Sequence, residues 1–238
     1  MVEHTARHYR SIAIDWRGHG TSPAPDGDFG WPQMADDVLA VLAASGVNRF
    51  VPVANAHAGW VARDLAERVP GRVAGIVLIN WLVLGAPPPF AAGLAALADP
   101  ATTRQAADGL TASWLGGHED VPGLAGQIAA MRRQGNQMWA RAGREIAAAY
   151  ATHTSPLHAF AALAAPPPVR HLYAEPKDSA FLAAQQEFAR THPWFTVRRL
   201  DTARTHFPML EQPAELAADV TRFAGSLASK PSQPAQRA

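Results

Sequence analysis

Two periodicities alternate along this chain of 238 residues. Met34, Val38, Leu39 and Leu42 recur at helical spacing within Trp31–Ala44, and Gly46 follows where a helix would stop. Phe50–Ala54 is a short apolar run that ends among small residues and feeds a second helical pattern, Ala58–Val69, broken by Pro70 and Gly71. Val73–Ile79 is almost continuously apolar, the signature of a strand covered on both faces of a parallel sheet. Ser11–Asp15, Val169–Ala174 and Phe195–Leu200 predict further strands, and Ala180–Arg190 and Pro213–Leu227 predict helices. Met1–Arg10 reads as a polar lead-in or helix end.

Strands alternating with helices at this spacing predict an α/β fold with a mainly parallel sheet flanked by helices. The alanine-rich, tryptophan-bearing stretch 85–168, closed by Pro166, Pro167 and Pro168, interrupts that alternation and predicts an inserted helical cap. Residues 1–84 and 169–228 then form the two parts of the α/β core, and 229–238 a disordered polar tail. In such a sheet the site lies beyond the carboxyl ends of the strands. The loops 54–60, 80–84 and 204–208 are therefore expected to meet beneath the cap.

Composition narrows the class. A formal net charge of +1 offers no electrostatic footprint for nucleic acid or an anionic membrane. No cysteine is present, which excludes disulfides and thiolate metal ligands. The N-terminus carries no signal-peptide pattern and no apolar run approaches membrane-spanning length, so the expected location is cytoplasmic. No histidines stand at metal-ligand spacing around His57, and no metal is expected.

The junction Ala54-Asn55-Ala56-His57-Ala58-Gly59 resembles the nucleophile elbow of α/β-hydrolases, a strand–turn–helix read as G-x-S-x-G. Ala56 stands where the nucleophile would be and carries no hydroxyl, thiol or carboxylate. Acyl-enzyme chemistry from this turn is therefore excluded. His206 follows the last strand, where that fold places its histidine, and a neutral imidazole is a natural base near pH 7. His57 supplies the backbone amide one residue past the elbow, with a side chain that can line the pocket. Asn80 or Asp178 is expected to orient His206, both lying just past a strand. Trp60, Trp81, Trp114 and Trp139 are candidate flat walls for a planar ligand, against the simpler reading of core filler. His118, His153, His158 and His171 join no constellation and read as surface or structural.

The phrases Trp16–Gly20 (WRGHG), His57–Trp60 (HAGW), Asn80–Leu82 (NWL), Trp114–Asp120 (WLGGHED), Trp139–Arg144 (WARAGR), His192–Phe195 (HPWF) and Thr205–Pro208 (THFP) span nearly the whole chain. Together they resemble the cofactor-independent 3-hydroxy-4-oxoquinaldine 2,4-dioxygenase family of the α/β-hydrolase fold. The resemblance implies ring cleavage without metal or flavin. The histidine matching His206 takes the 3-hydroxyl proton of a 3-hydroxy-4(1H)-quinolone, the anion reacts with O₂, and the ring opens with loss of CO. A small aromatic substrate and O₂ are the implied partners, and the chain is expected to be a monomer or weak homo-oligomer. Relatives often carry serine at Ala56, where it helps hold substrate, and aspartate at Asn80. They also have three strands and an amide-donating loop before the segment matching Trp16–Gly20. A truncated or misplaced N-terminus is therefore expected, the alternative being a smaller natural sheet. Two other functional readings stay open: a hydrolase or lyase of the same fold using His206, and a non-catalytic quinolone-binding or vestigial protein.

Overall fold

A computed structural model describes residues 1–228; the expected polar tail, 229–238, lies outside the described residues. Four strands form one parallel sheet in the order β1 (Val53–Asn55), β2 (Ile76–Ile79), β3 (Val169–Tyr173), β4 (Phe195–Arg199). The first two are the apolar runs anticipated from the sequence and the last two the strand patterns anticipated at Val169–Ala174 and Phe195–Leu200, each with one or both ends shifted by one to three residues. Phe50, the start of the first run, meets Val73 in an isolated bridge.

Around the sheet lie α1 (Val2–Thr5), α2 (Trp31–Ala44), α3 (Gly59–Arg68), α4 (Pro88–Ala98), α5 (Thr103–Leu115), α6 (Leu124–Arg132), α7 (Asn136–Thr152), α8 (Pro156–Ala161), α9 (Ser179–Thr191), α10 (Pro208–Glu211) and α11 (Pro213–Ala228). The pleat divides the core. Ile76 and Leu78 of β2 join Val38 and Leu42 of α2 and Trp60, Val61 and Leu65 of α3. Val77 and Ile79 point the other way, onto Leu216 and Val220 of α11. Every residue of β2 is buried, so its period-2 signal is hidden in an all-apolar run.

Helices α4 to α8 enter the chain between β2 and β3. Gly143 of α7 lets α4 come close: a Cβ there would lie 2.8 Å from the Leu94 carbonyl oxygen and the Ala98 nitrogen. The last of these helices, α8, packs into the main core through Leu157 and Phe160 rather than over the strand ends.

The strand expected at Ser11–Asp15 does not form. A strand requires a neighbour whose N–H and C=O groups match its own. Here β1 pairs with β2 on one side only. Residues 12–14 and the Val51–Val53 backbone line the same open space instead of closing it, and Ile12 and Val53 stay exposed.

Candidate active site

The elbow forms as the sequence pattern demands. β1 ends at Asn55, Ala56–Ala58 make one turn of 3-10 helix, and α3 begins at Gly59. Ala56 sits at φ 49° and Asn80, at the end of the neighbouring β2, at φ 50°. Left-handed backbone costs a non-glycine residue about 1–2 kcal/mol. Both directly follow the carboxyl end of a strand, β1 and β2, and such strain clusters at functional sites.

His206 lies on the loop between β4 and α10, and several contacts fix it. The Asn80 Nδ2 donates to His206 Nδ1 at 3.0 Å and to the His206 carbonyl oxygen at 3.1 Å. The Asn80 Oδ1 accepts from the backbone amides of Ala174 (2.8 Å) and Glu175 (3.0 Å), just past β3. The loop itself is held by Glu211, which accepts from the Arg204 amide, the Thr205 amide and the Thr205 hydroxyl. Burial pushes the Glu211 carboxyl up, but the bonds from Thr205 and Arg204 outweigh it and hold it below the usual carboxylate range. Trp114 of α5 lies flat on the His206 ring, with centroids 5.1 Å apart.

Of the two residues expected to orient His206, the structure brings only Asn80 to it. Asp178 is the N-cap of α9, its Oδ1 accepting from the Ala180 amide at 2.8 Å, and it is exposed. The spacing after β3 that made it a candidate is the spacing that starts the next helix. That expectation is corrected.

His206 and His57 share the wall of a cavity of about 1770 Å³. Its lining runs from the strand ends and helices α4, α5 and α7 to the Val51–Val53 edge of the sheet. Ala56, Asn80, Trp81, Trp114 and Trp139 also line it. Trp60 does not. It is 2% exposed and sits in the core against Trp81, Tyr150 and the stacked ring of His153, so its expected role in substrate binding is replaced by a packing one.

Sequence patterns alone missed Phe90, Leu94 and Tyr150, which line the cavity from α4 and α7. Their helical spacing is indistinguishable from core packing until the helices are placed. Glu211 was missed too, since nothing local distinguishes it from other helix-end carboxylates.

The electrostatics favour neutral imidazoles. Burial pushes His206 down to about 4. His57 is pushed down to about 4 by burial, then by the Arg141, His206 and His19 charges. His57 is exposed where it lines the cavity, although neighbouring atoms crowd its ring. Arg141 itself lies 3.8 Å over the Phe29 ring, its guanidinium disfavoured chiefly by burial. Burial also raises Glu175, whose amide Asn80 holds. His171, expected to be structural or exposed, is fully buried: Nδ1 meets Gln185 Oε1 at 2.6 Å and Nε2 accepts from the Trp81 amide. Among the described residues no three His, Asp or Glu side chains converge as metal ligands, and no helix is long and apolar enough to cross a membrane.

Comparison with known proteins extends this picture. A model described as the alpha/beta hydrolase family matches residues 1–219. The chain is 39% identical over 220 residues to a 2-heptyl-3-hydroxy-4(1H)-quinolone dioxygenase of Mycobacteroides abscessus, covering 92% of this chain and 81% of that one. It is 33% identical over 219 residues to a 1H-3-hydroxy-4-oxoquinoline 2,4-dioxygenase of Pseudomonas putida, covering 92% and 82%. Among solved structures, a variant of AqdC in complex with its substrate, the Pseudomonas quinolone signal, superposes with a TM-score of 0.82 at 38% identity, over 90% of this chain and 79% of that one.

Proposed function

The chain belongs to the 3-hydroxy-4-quinolone 2,4-dioxygenases of the alpha/beta hydrolase family, and on that premise we propose that it cleaves the ring of a 3-hydroxy-4(1H)-quinolone with O₂. The observation that carries the proposal is the pairing of an elbow without a nucleophile at Ala56 with a His206 held by Asn80 and Trp114 on the wall of the same cavity. A serine hydrolase loses its chemistry with that side chain. A reaction needing no covalent enzyme intermediate does not.

In this reading the quinolone lies under the cap, its flat ring between the apolar cap residues and the strand ends. The 3-oxygen faces the imidazole of His206. Loss of the 3-hydroxyl proton leaves an electron-rich olate that adds O₂ at C2. The peroxide closes onto C4, and fragmentation expels CO while the remaining ring carbons become an amide and a carboxylate. The His57 backbone amide, one residue past Ala56, is the proposed donor to the oxyanion formed at C4. The side chains of Trp81, Trp114 and Trp139 are the proposed walls of the quinolone site.

Aerobic decay of a 2-alkyl-3-hydroxy-4(1H)-quinolone, followed by absorbance with CO trapped in parallel, tests this. Decay with stoichiometric CO, lost in His206→Ala, is the expected result. Tight binding with neither decay nor CO would instead identify a quinolone-binding protein. That outcome has a specific motive, because Ala56 and Asn80 stand where relatives often carry serine and aspartate.

A further inference from the structure

The four hydrogen-bonding positions of the Asn80 amide are all used, and they admit one orientation. Oδ1 faces two N–H donors, Ala174 and Glu175. Nδ2 faces His206 Nδ1 and the His206 carbonyl oxygen. Turning the amide over would set NH₂ against two N–H groups and oxygen against a carbonyl oxygen. An amide nitrogen is a donor only, so the ring nitrogen it meets must be an acceptor. In neutral imidazole the other nitrogen then carries the proton. Nε2 makes no hydrogen bond to the protein among the described residues, and the ring lines the cavity.

We propose, on the footing of the quinolone reading above, that Asn80 holds His206 in its Nε2–H tautomer. His206 then meets the substrate as a hydrogen-bond donor to an already ionised 3-olate, not as the base that removes its proton. The 3-hydroxyl proton leaves to water or buffer before or during binding. The olate oxygen accepts from Nε2–H, and no proton is added to the ring. Asn80 is a positioning residue, acting through His206. The substrate class is correspondingly narrowed to quinolones acidic enough to bind as their anions.

The surroundings agree. Taking a proton at Nε2 would require the ring to move its own proton to Nδ1, straight against the Asn80 N–H donor. The other titratable or charged side chains lining this cavity are Tyr9, Arg10, His19, Arg49, His57, Tyr150, Glu175 and Lys177. Among them His57 is the one whose charge state is coupled to His206, and it too is held neutral, down to about 4. Glu175 is itself pushed toward its uncharged form by burial. Trp114 and Phe207, stacked and edge-on to the ring, bring no charge. A wrong-tautomer histidine is a known consequence of exchanging the orienting carboxylate for an amide in catalytic triads.

Two measurements decide the matter. Long-range ¹H–¹⁵N correlation on ¹⁵N-labelled protein near neutral pH should assign His206, by its loss in His206→Ala, as the Nε2–H tautomer, and as Nδ1–H in Asn80→Asp. An Nδ1–H signal in the wild type would overturn the proposal. Anaerobic binding of a 2-alkyl-3-hydroxy-4-quinolone below its own pKa, with a pH indicator, should give the olate spectrum and release about one proton per site. Olate formation with no proton release would mean the ring had taken it, and the proposal would fall. Under air, kcat/KM should rise with pH along the titration of the free substrate. Asn80→Asp should lift the rate below that pKa by roughly 10²-fold or more, the usual worth of a positioned base. Absence of quinolone binding would sink the dioxygenase reading while leaving the tautomer assignment to the spectrum.

Discussion

The indole of Trp114 lies parallel to the imidazole of His206, centroids 5.1 Å apart and planes within 5°, and Phe207 meets both rings edge-on. Trp114 is therefore a back wall that sets the tilt of the histidine as well as a side of the cavity. Such ring pairs contribute about 0.5–1.5 kcal/mol beyond their area. Trp114→Ala should weaken quinolone binding by roughly tenfold and lower kcat, whereas Trp114→Phe should keep most of both. Fluorescence titration and steady-state kinetics on the two variants check this. Equal losses in both would show that a flat ring at this position is not what matters.

Glu211 collects three donors from Arg204 and Thr205, the residues immediately before His206. Glu211→Ala leaves those donors without their acceptor and frees the loop. We expect a drop in kcat with quinolone binding less affected, together with about 1–3 kcal/mol of lost stability. Urea unfolding and kinetics on one preparation separate the two effects.

Asp178 caps α9 and does not touch His206. Replacing an N-cap carboxylate by alanine costs about 1 kcal/mol. Asp178→Ala should lower the melting temperature by a few degrees and leave kcat/KM unchanged. A large kinetic loss would restore Asp178 as the residue that orients the histidine.

Gly59 is the point where the elbow helix meets Trp81. A Cβ at this position would fall 2.3 Å from the indole atoms Cε3 and Cζ3. Gly59→Ala must displace the ring, and overpacking of this kind costs about 1–3 kcal/mol. Because Trp81 also lines the cavity, reduced quinolone affinity should accompany the lower urea midpoint.

Stability should fall on the acid side of neutrality. His171 is fully buried and pushed down to about 4 from 6.5 by desolvation, slightly opposed by Gln185. The unfolded chain takes up this proton as pH drops below 6.5, while the folded chain refuses it until about 4. The unfolded state therefore binds more protons across that window, so stability is full above it and lost on descending through it. His171 alone accounts for about 3 kcal/mol by the bottom of the window. Its Nε2 accepts from the Trp81 amide, so protonation would set two donors face to face. Urea midpoints measured from pH 7 down to about pH 4.5 should decline steadily; a flat series would contradict the neutral, buried assignment.

Much of this molecule was legible in its residues. Apolar runs marked β1 and β2, mixed strand patterns marked β3 and β4, helical spacing marked α2 to its ends, and the small residues around Ala56 marked the elbow together with its missing nucleophile. These features depend on neighbours along the chain, which a linear pattern records. His206 was legible because an imidazole after the last strand of a parallel sheet must emerge at the strand ends, whatever the detailed packing.

What only the tertiary structure decided was partnership. Asn80 and Asp178 each follow a strand, and nothing local ranks one above the other. Asn80 meets His206, 126 residues away, because the end of β2 lies against β3, whose following amides turn its side-chain oxygen one way and its nitrogen the other. Trp60 and Trp114 are the same side chain in similar helical patterns, yet one fills the core and the other faces His206. Residues 11–15 have a strand's composition and no strand, because a strand exists only when another backbone supplies its hydrogen bonds. Periodicity reports which residues avoid water; the folded chain alone settles which donor meets which acceptor.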